Sequence, residues 1–212
     1  MLEVLYSDSS VAVIVKPVGV LSEDGAVGES VCPMLREALG VREVYPVHRL
    51  DRAVGGVMVY ALTKSAAGVL SAAVAENRLE KVYLALVHGV PAEESGTMTD
   101  LLYKDVRKNK SYVVTRERKG VKRASLSYET LCIRENVSLV RVTLHTGRSH
   151  QIRVQFASRK LPLLGDGKYG AVDHVKEIAL FSHAIAFPHP ESGNAMRFLA
   201  EPAGEKWQEF LQ

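Results

Sequence analysis

The order in which strand-like and helix-like segments follow one another is the strongest constraint this sequence places on its fold. Ser9 to Val15 reads as a turn followed by a strand. Ser30 to Leu39 reads as a short helix, with Ser30 as N-cap, Pro33 in the first turn and Gly40 just past the end. Val57 to Leu62 is apolar and β-rich. Thr63 to Asn77 follows as a helix capped by Thr63, with Ala66, Ala67, Leu70, Ala73 and Val74 at helical spacing. Val82 to His88, Ala124 to Leu131 and Val137 to Leu144 again read as strands, the last two joined by Arg134-Glu135-Asn136. Helices interspersed without regular β-α-β alternation predict an α+β fold rather than a doubly wound sheet. Gly147 to Ala157 stays open between two readings: Ile152 and Val154 alternate as in a strand, while Ile152 and Phe156 stand at i and i+4.

The 212 residues suit one domain spanning 1–212, large enough to bury a core without disulfides. Cys32 and Cys132 form no CxxC and no metal-ligand spacing, which suits a reducing compartment. No basic segment leads into a long apolar core at the N-terminus, and Val11 to Val15 is only strand-length. The chain is therefore expected to be cytoplasmic, soluble and without a membrane segment, with a monomer as the default. The seven histidines form no HExxH or comparable cluster, so no metal site is inferred. Gly165-Asp166-Gly167-Lys168-Tyr169-Gly170 matches GxGxxG in letters, but Pro162 precedes it and no βαβ unit surrounds it, so a dinucleotide site is rejected.

The chemistry concentrates in Pro46-Val47-His48-Arg49-Leu50-Asp51-Arg52, just before Gly55-Gly56 and the apolar run. Two arginines and a histidine flank one carboxylate, and neighbouring cations favour its ionised form. On spacing alone, this is either a structural ion pair or a nucleophile. Arg49 and Asp51 share a face if the stretch is extended.

Three further segments change that balance. Lys81-Val82-Tyr83 follows His48-Arg49-Leu50-Asp51, then come Gly147-Arg148-Ser149-His150-Gln151-Ile152-Arg153 and Gly165-Asp166-Gly167-Lys168-Tyr169-Gly170. Together with Val15-Lys16-Pro17-Val18-Gly19-Val20 at the start and Ser182-His183-Ala184 through Pro190 at the end, this ordered set resembles the RluA-like family of RNA pseudouridine synthases over roughly residues 2 to 203. The resemblance implies a pseudouridine synthase fold: a mixed, mainly antiparallel central sheet with flanking helices and a catalytic cleft. It points to a short helix after Gly147. It also implies the catalytic domain alone, without the S4-type RNA-binding domain that many relatives carry N-terminally.

The implied activity is cofactor-free isomerisation of uridine to pseudouridine in tRNA or rRNA, with a compact stem-loop as the favoured target. The resemblance makes Asp51 the group that attacks C1′ or takes the C2′ proton. Arg153 would keep that carboxylate charged and oriented, and Tyr83 would lie against the uracil. An unshifted tyrosine is a poor base near neutral pH, so packing is the role expected first of Tyr83. His48, Arg148, His150 and Gln151 are candidate RNA or loop-bracing contacts. Arg49 is a candidate for a phosphate or for the space left by a flipped nucleotide.

Charge distribution adds to this. Residues 104–123 hold nine cations against Asp105 and Glu117, a local +7 in a chain of net +3. Lys108, Lys110 and Arg116 in this segment are therefore candidate phosphate contacts, against the alternative of a solvated hairpin. After Asp51, the family pattern of two residues and then Thr-Ser-Gly becomes Arg52-Ala53-Val54-Gly55-Gly56, which removes two hydroxyls. Gln155 stands where a histidine is common. The altered loop and the basic segment also motivate a second expectation, an RNA-binding or RNA-folding factor that acts without catalysis.

Overall fold

A computed structural model describes residues 2–25 and 27–211. In chain order the elements are β1 (Glu3–Ser7), β2 (Val11–Lys16), α1 (Val31–Leu39), β3 (Tyr45–Pro46), β4 (Gly55–Ala61), α2 (Lys64–Ala75), β5 (Glu80–His88), β6 (Ser95–Asp105), β7 (Lys110–Val114), β8 (Val121–Arg134), β9 (Val137–Leu144), α3 (Gln151–Ser158), a 3-10 turn (Gly167–Tyr169), β10 (Leu180–Pro188), β11 (Ala195–Leu199) and α4 (Glu205–Gln208). The fold class is α+β, with mainly antiparallel pairing and a parallel pair between β4 and β10. The chain divides into two compact units, residues 1–81 with 181–202, and residues 82–180 with 203–212.

In the first unit β1 pairs β2, β2 pairs β4, and β4 also pairs β3 and, in parallel, β10. Every residue of β4 is buried, as expected of a central strand covered on both faces. Val11, Val13, Val57 and Val59 form one apolar layer with Ala66, Leu70 and Ala73 of α2 and with Ile185 and Phe187 of β10. The alternation of a strand and the 3.6 period of a helix bring those residues to a common face. The Thr63 hydroxyl accepts the Ala66 N–H at 3.1 Å and starts α2 as its sequence predicts. Ser30 stands at the N-cap of α1, but its hydroxyl donates to Asp24 and makes no cap bond. Gly40 ends α1 in the left-handed region.

In the second unit the strands run in the order β5, β9, β8, β6, β7, all antiparallel. Glu135 and Asn136, at φ 46° and 65°, make the tight turn between β8 and β9. The segment around 104–123 is therefore ordered hairpin structure: the end of β6, all of β7 and the start of β8. The open reading of Gly147 to Ala157 resolves as helix α3. Leu102 and Ala124 pack beneath its Val154.

One glycine links the fold to the motif stretch. Gly56 has φ 119°, and a Cβ there would lie 2.3 Å from the Ser182 carbonyl oxygen. Backbone strain and a clash with the parallel neighbour act together. Gly56→Ala is expected to destabilise the protein by at least about 2 kcal/mol, read as a fall in urea midpoint.

Candidate active site

Asp51 sits in the short connection that leads into β4, and its neighbours on both sides are tied down. The Ser22 hydroxyl accepts the Leu50 N–H and donates to the Leu50 carbonyl, both at 3.0 Å. Beyond Asp51, the Arg52 carbonyl accepts the Gly19 N–H at 2.8 Å, and the Arg52 Nε–H donates to the Gly19 carbonyl at 2.7 Å. The Val54 N–H closes a turn onto the Asp51 carbonyl at 2.9 Å. Val54 is buried, so the methyl that replaces the usual hydroxyl packs in the interior.

Lys16 lies under this loop with 1 % exposure. Its ammonium donates to the carbonyls of Pro17 at 2.8 Å, Val20 at 2.7 Å and Arg52 at 3.5 Å. Burial lowers its pKa to about 8, and the Asp51 carboxylate opposes that fall. The cation is held because backbone oxygens take the place of water.

His48 braces the same loop. Its Nε2 accepts the Val59 N–H at 3.2 Å, so the neutral ring carries its proton on Nδ1, which is buried without a hydrogen-bond partner. Burial, helped by the charge on Lys81, lowers its pKa to about 3. Lys81 in turn is lowered by burial. Arg49 points outward, 60 % exposed, and pairs with Glu23 at 2.9 Å.

The second unit carries the other expected residues. Tyr83 is buried in β5 opposite Val142 of β9. Arg153 is buried in α3, and its Nε and Nη2 donate to the two oxygens of Asp166 at 2.7 and 2.8 Å. Asp166 is 1 % exposed. The Arg153 guanidinium also lies 5.1 Å from the Tyr169 ring centroid. The Tyr169 hydroxyl accepts the Ser111 N–H at 2.8 Å and meets His150 Nδ1 at 2.9 Å. Burial raises the Tyr169 pKa. The Ser111 hydroxyl donates to the Ser149 carbonyl at 2.7 Å. Strand β7, the N-terminal turn of α3 and the 165–170 segment are thus stitched together.

Gln151 is buried. Its Oε1 accepts from the Thr146 hydroxyl and the Arg148 N–H, and its Nε2 donates to the Ser125 carbonyl. Of the two roles expected for it, the structure supplies the bracing one. Arg148 is exposed, with its Nε tied to the Arg123 carbonyl at 3.0 Å. In the basic hairpin, Lys108 and Arg116 are exposed. Lys110 instead lays its ammonium 5.1 Å from the Tyr169 ring centroid and donates to the Lys168 carbonyl.

Lys16, Asp166, Tyr169 and Ser22 are among the described residues that brace these loops without a role evident from the sequence. Lys16, Asp166 and Tyr169 lie in motifs whose spacing drew attention to them. Ser22 lies in no motif, and nothing local marks it.

His48 generates a pH prediction. Its folded pKa lies below the ordinary 6.5, so the unfolded chain takes up a proton that the folded chain does not, and stability falls as pH drops from about 6.5 towards about 3. Between pH 7 and 5.5, where most carboxylates stay ionised, His48→Gln is expected to lose less stability than wild type. Parallel urea-midpoint curves for the two proteins would refute this.

A sequence model described as RNA pseudouridylate synthase matches residues 10–158. The dual-specificity RNA pseudouridine synthase RluA of Yersinia pestis is 34 % identical over 207 residues, covering 93 % of this chain and 98 % of its own. A tRNA pseudouridine synthase C of Pasteurella multocida is 29 % identical, covering 89 % of this chain and 86 % of its own. An uncharacterised RNA pseudouridine synthase of Synechocystis is 31 % identical over 94 % of this chain, which spans 65 % of that relative's length. In structure, human RNA pseudouridylate synthase domain containing 1 aligns over 95 % of this chain and 84 % of its own, with a TM-score of 0.80 at 23 % identity, which bears on fold alone. The match over residues 10–158 takes in Asp51, Tyr83 and Arg153, and the chain belongs to the RNA pseudouridylate synthase family, among its RluA-like members.

Proposed function

We propose that this protein isomerises uridine to pseudouridine in structured tRNA or rRNA, with Asp51 as the group that acts on the ribose. The observation that carries the reading is a family match over residues 10–158, together with a loop that pins the residues on either side of Asp51. The reaction breaks the C1′–N1 bond and forms a C1′–C5 bond. C5 loses its proton and N1 regains one, so nothing is oxidised and no group enters or leaves. A carboxylate can serve in two ways: it bonds to C1′ as the base departs, or it removes the C2′ proton. Arg153 is the cation assigned to keep that carboxylate ionised. Tyr83 is assigned to the uracil face, as packing surface first and as acceptor of the C5 proton second.

RNA is the partner. A compact stem-loop, bound by a cytoplasmic monomer, is the form of substrate this reading carries. Lys108, Arg116, Arg148 and Arg49 are exposed cations suited to phosphates. Lys110 contributes to the same surface from a position held against Tyr169. His48, His150 and Gln151 support RNA contact through the loops they brace.

Loss of the C5 proton gives a direct assay, release of tritium from RNA transcribed with 5-tritiated uridine. Asp51→Asn is expected to fold, bind tRNA and rRNA transcripts as wild type does, and release no tritium. Release at the wild-type rate would remove Asp51 from the mechanism. Replacing Lys108 and Arg116 by Gln should weaken RNA binding and reduce the slope of log K against log salt by roughly 1.5. An unchanged slope would mark the hairpin as plain surface.

A further inference from the structure

We infer that Ser22 is a positioning residue for Asp51, fixing the peptide from which the reacting carboxylate is presented. This rests on the reading of Asp51 given above. One hydroxyl serves both polar groups of Leu50, accepting its N–H and donating to its C=O at 3.0 Å each. Those are the two bonds a neighbouring strand would make, delivered by a single side chain. The Leu50 carbonyl belongs to the peptide plane that carries the Asp51 nitrogen, so holding it limits how Asp51 can turn.

Ser22 is itself firmly seated. It is 3 % exposed, and its carbonyl accepts the hydroxyl of Tyr60 at 2.8 Å and the thiol of Cys32 at 3.8 Å. Tyr60 is fully buried in β4, the strand that Asp51 leads into, and Cys32 lies in α1. The clamp therefore refers the Asp51 loop to two elements of regular structure. No residue from Arg52 to Gly55 carries a hydroxyl, although two are usual there in the family pattern. The hydroxyl that holds Leu50 is that of Ser22, 28 residues upstream. Reaction at C1′ or C2′ is sensitive to the position of the carboxylate, and a displacement near 1 Å costs on the order of 100-fold.

The test compares wild type, Asp51→Asn, Ser22→Ala and Ser22→Thr in single-turnover tritium release from tRNA and rRNA transcripts. RNA Kd and urea midpoint are measured alongside. Ser22→Ala is expected to slow release by roughly 10- to 100-fold with RNA Kd unchanged, and Ser22→Thr, which keeps the hydroxyl, to recover most of the rate. A Ser22→Ala protein that has a lowered midpoint but releases tritium at the wild-type rate would overturn the inference, because Ser22 would then serve stability alone. Equal slowing by Ala and Thr would overturn it too. If Ser22→Ala does not fold, Tyr60→Phe removes the bond that seats Ser22. A slower rate at constant Kd is then expected, and a wild-type rate overturns the proposal. Wild type that releases nothing, or Asp51→Asn that releases normally, brings down the reading of Asp51 and this inference with it. A Ser22 failure is distinguishable because wild type and Asp51→Asn still behave as expected.

Discussion

An ammonium group taken out of water organises the candidate site. Burying a cation without compensation is prohibitive, so carbonyl oxygens must converge where Lys16 ends. Those of Pro17, Val20 and Arg52 do so. Their convergence bends the chain after β2 into a turn and draws the start of the Arg52 connection against it. Gly19 and Arg52 then exchange reciprocal bonds, and Ser22 reaches Leu50. Asp51 lies between these two restrained neighbours. The Lys-Pro motif at the start of β2's exit and the His-Arg-Leu-Asp motif are thus one structural device, although they are far apart in sequence.

The second unit uses a different solution for the same problem. Arg153 is buried because Asp166 answers it with a two-pronged bond and Tyr169 lies across it. Such a pair gains little net stability over apolar packing, since both charges give up water. Its value lies in fixed geometry: two parallel bonds allow the guanidinium a single orientation. The Gly165-Asp166 and Tyr169-Gly170 motif earns its place here as the support of α3, not as a nucleotide loop.

Legibility differed from element to element for physical reasons. Helix α2 is plain because its buried residues are apolar and periodic, and strand β4 because it is one unbroken, wholly buried run. Helix α3 was ambiguous because three of its buried residues are Gln151, Arg153 and Gln155. Periodicity assigns polar residues to solvent, and here they are buried with internal partners. Strands β6 and β7 leave no strand signal in the sequence beyond the basic charge of 104–123, because they are partly exposed and show only a weak apolar face. Ser30 marked the start of α1 correctly, yet its hydroxyl serves Asp24.

What the sequence determined by itself is the chemistry on offer and the class of fold: an ordered set of motifs carrying Asp51, Tyr83 and Arg153, strands and helices without regular alternation, and a basic stretch at 104–123. These are properties of residue identity and local order. The tertiary structure alone decided which polar groups are engaged internally. It made His48 and Gln151 braces, left Lys108 facing water while Lys110 folds back, paired Arg153 with Asp166 and placed Ser22 beside Leu50. A hydrogen bond between residues 28 positions apart leaves no periodic trace in either segment, and only folding brings its two ends within 3.0 Å.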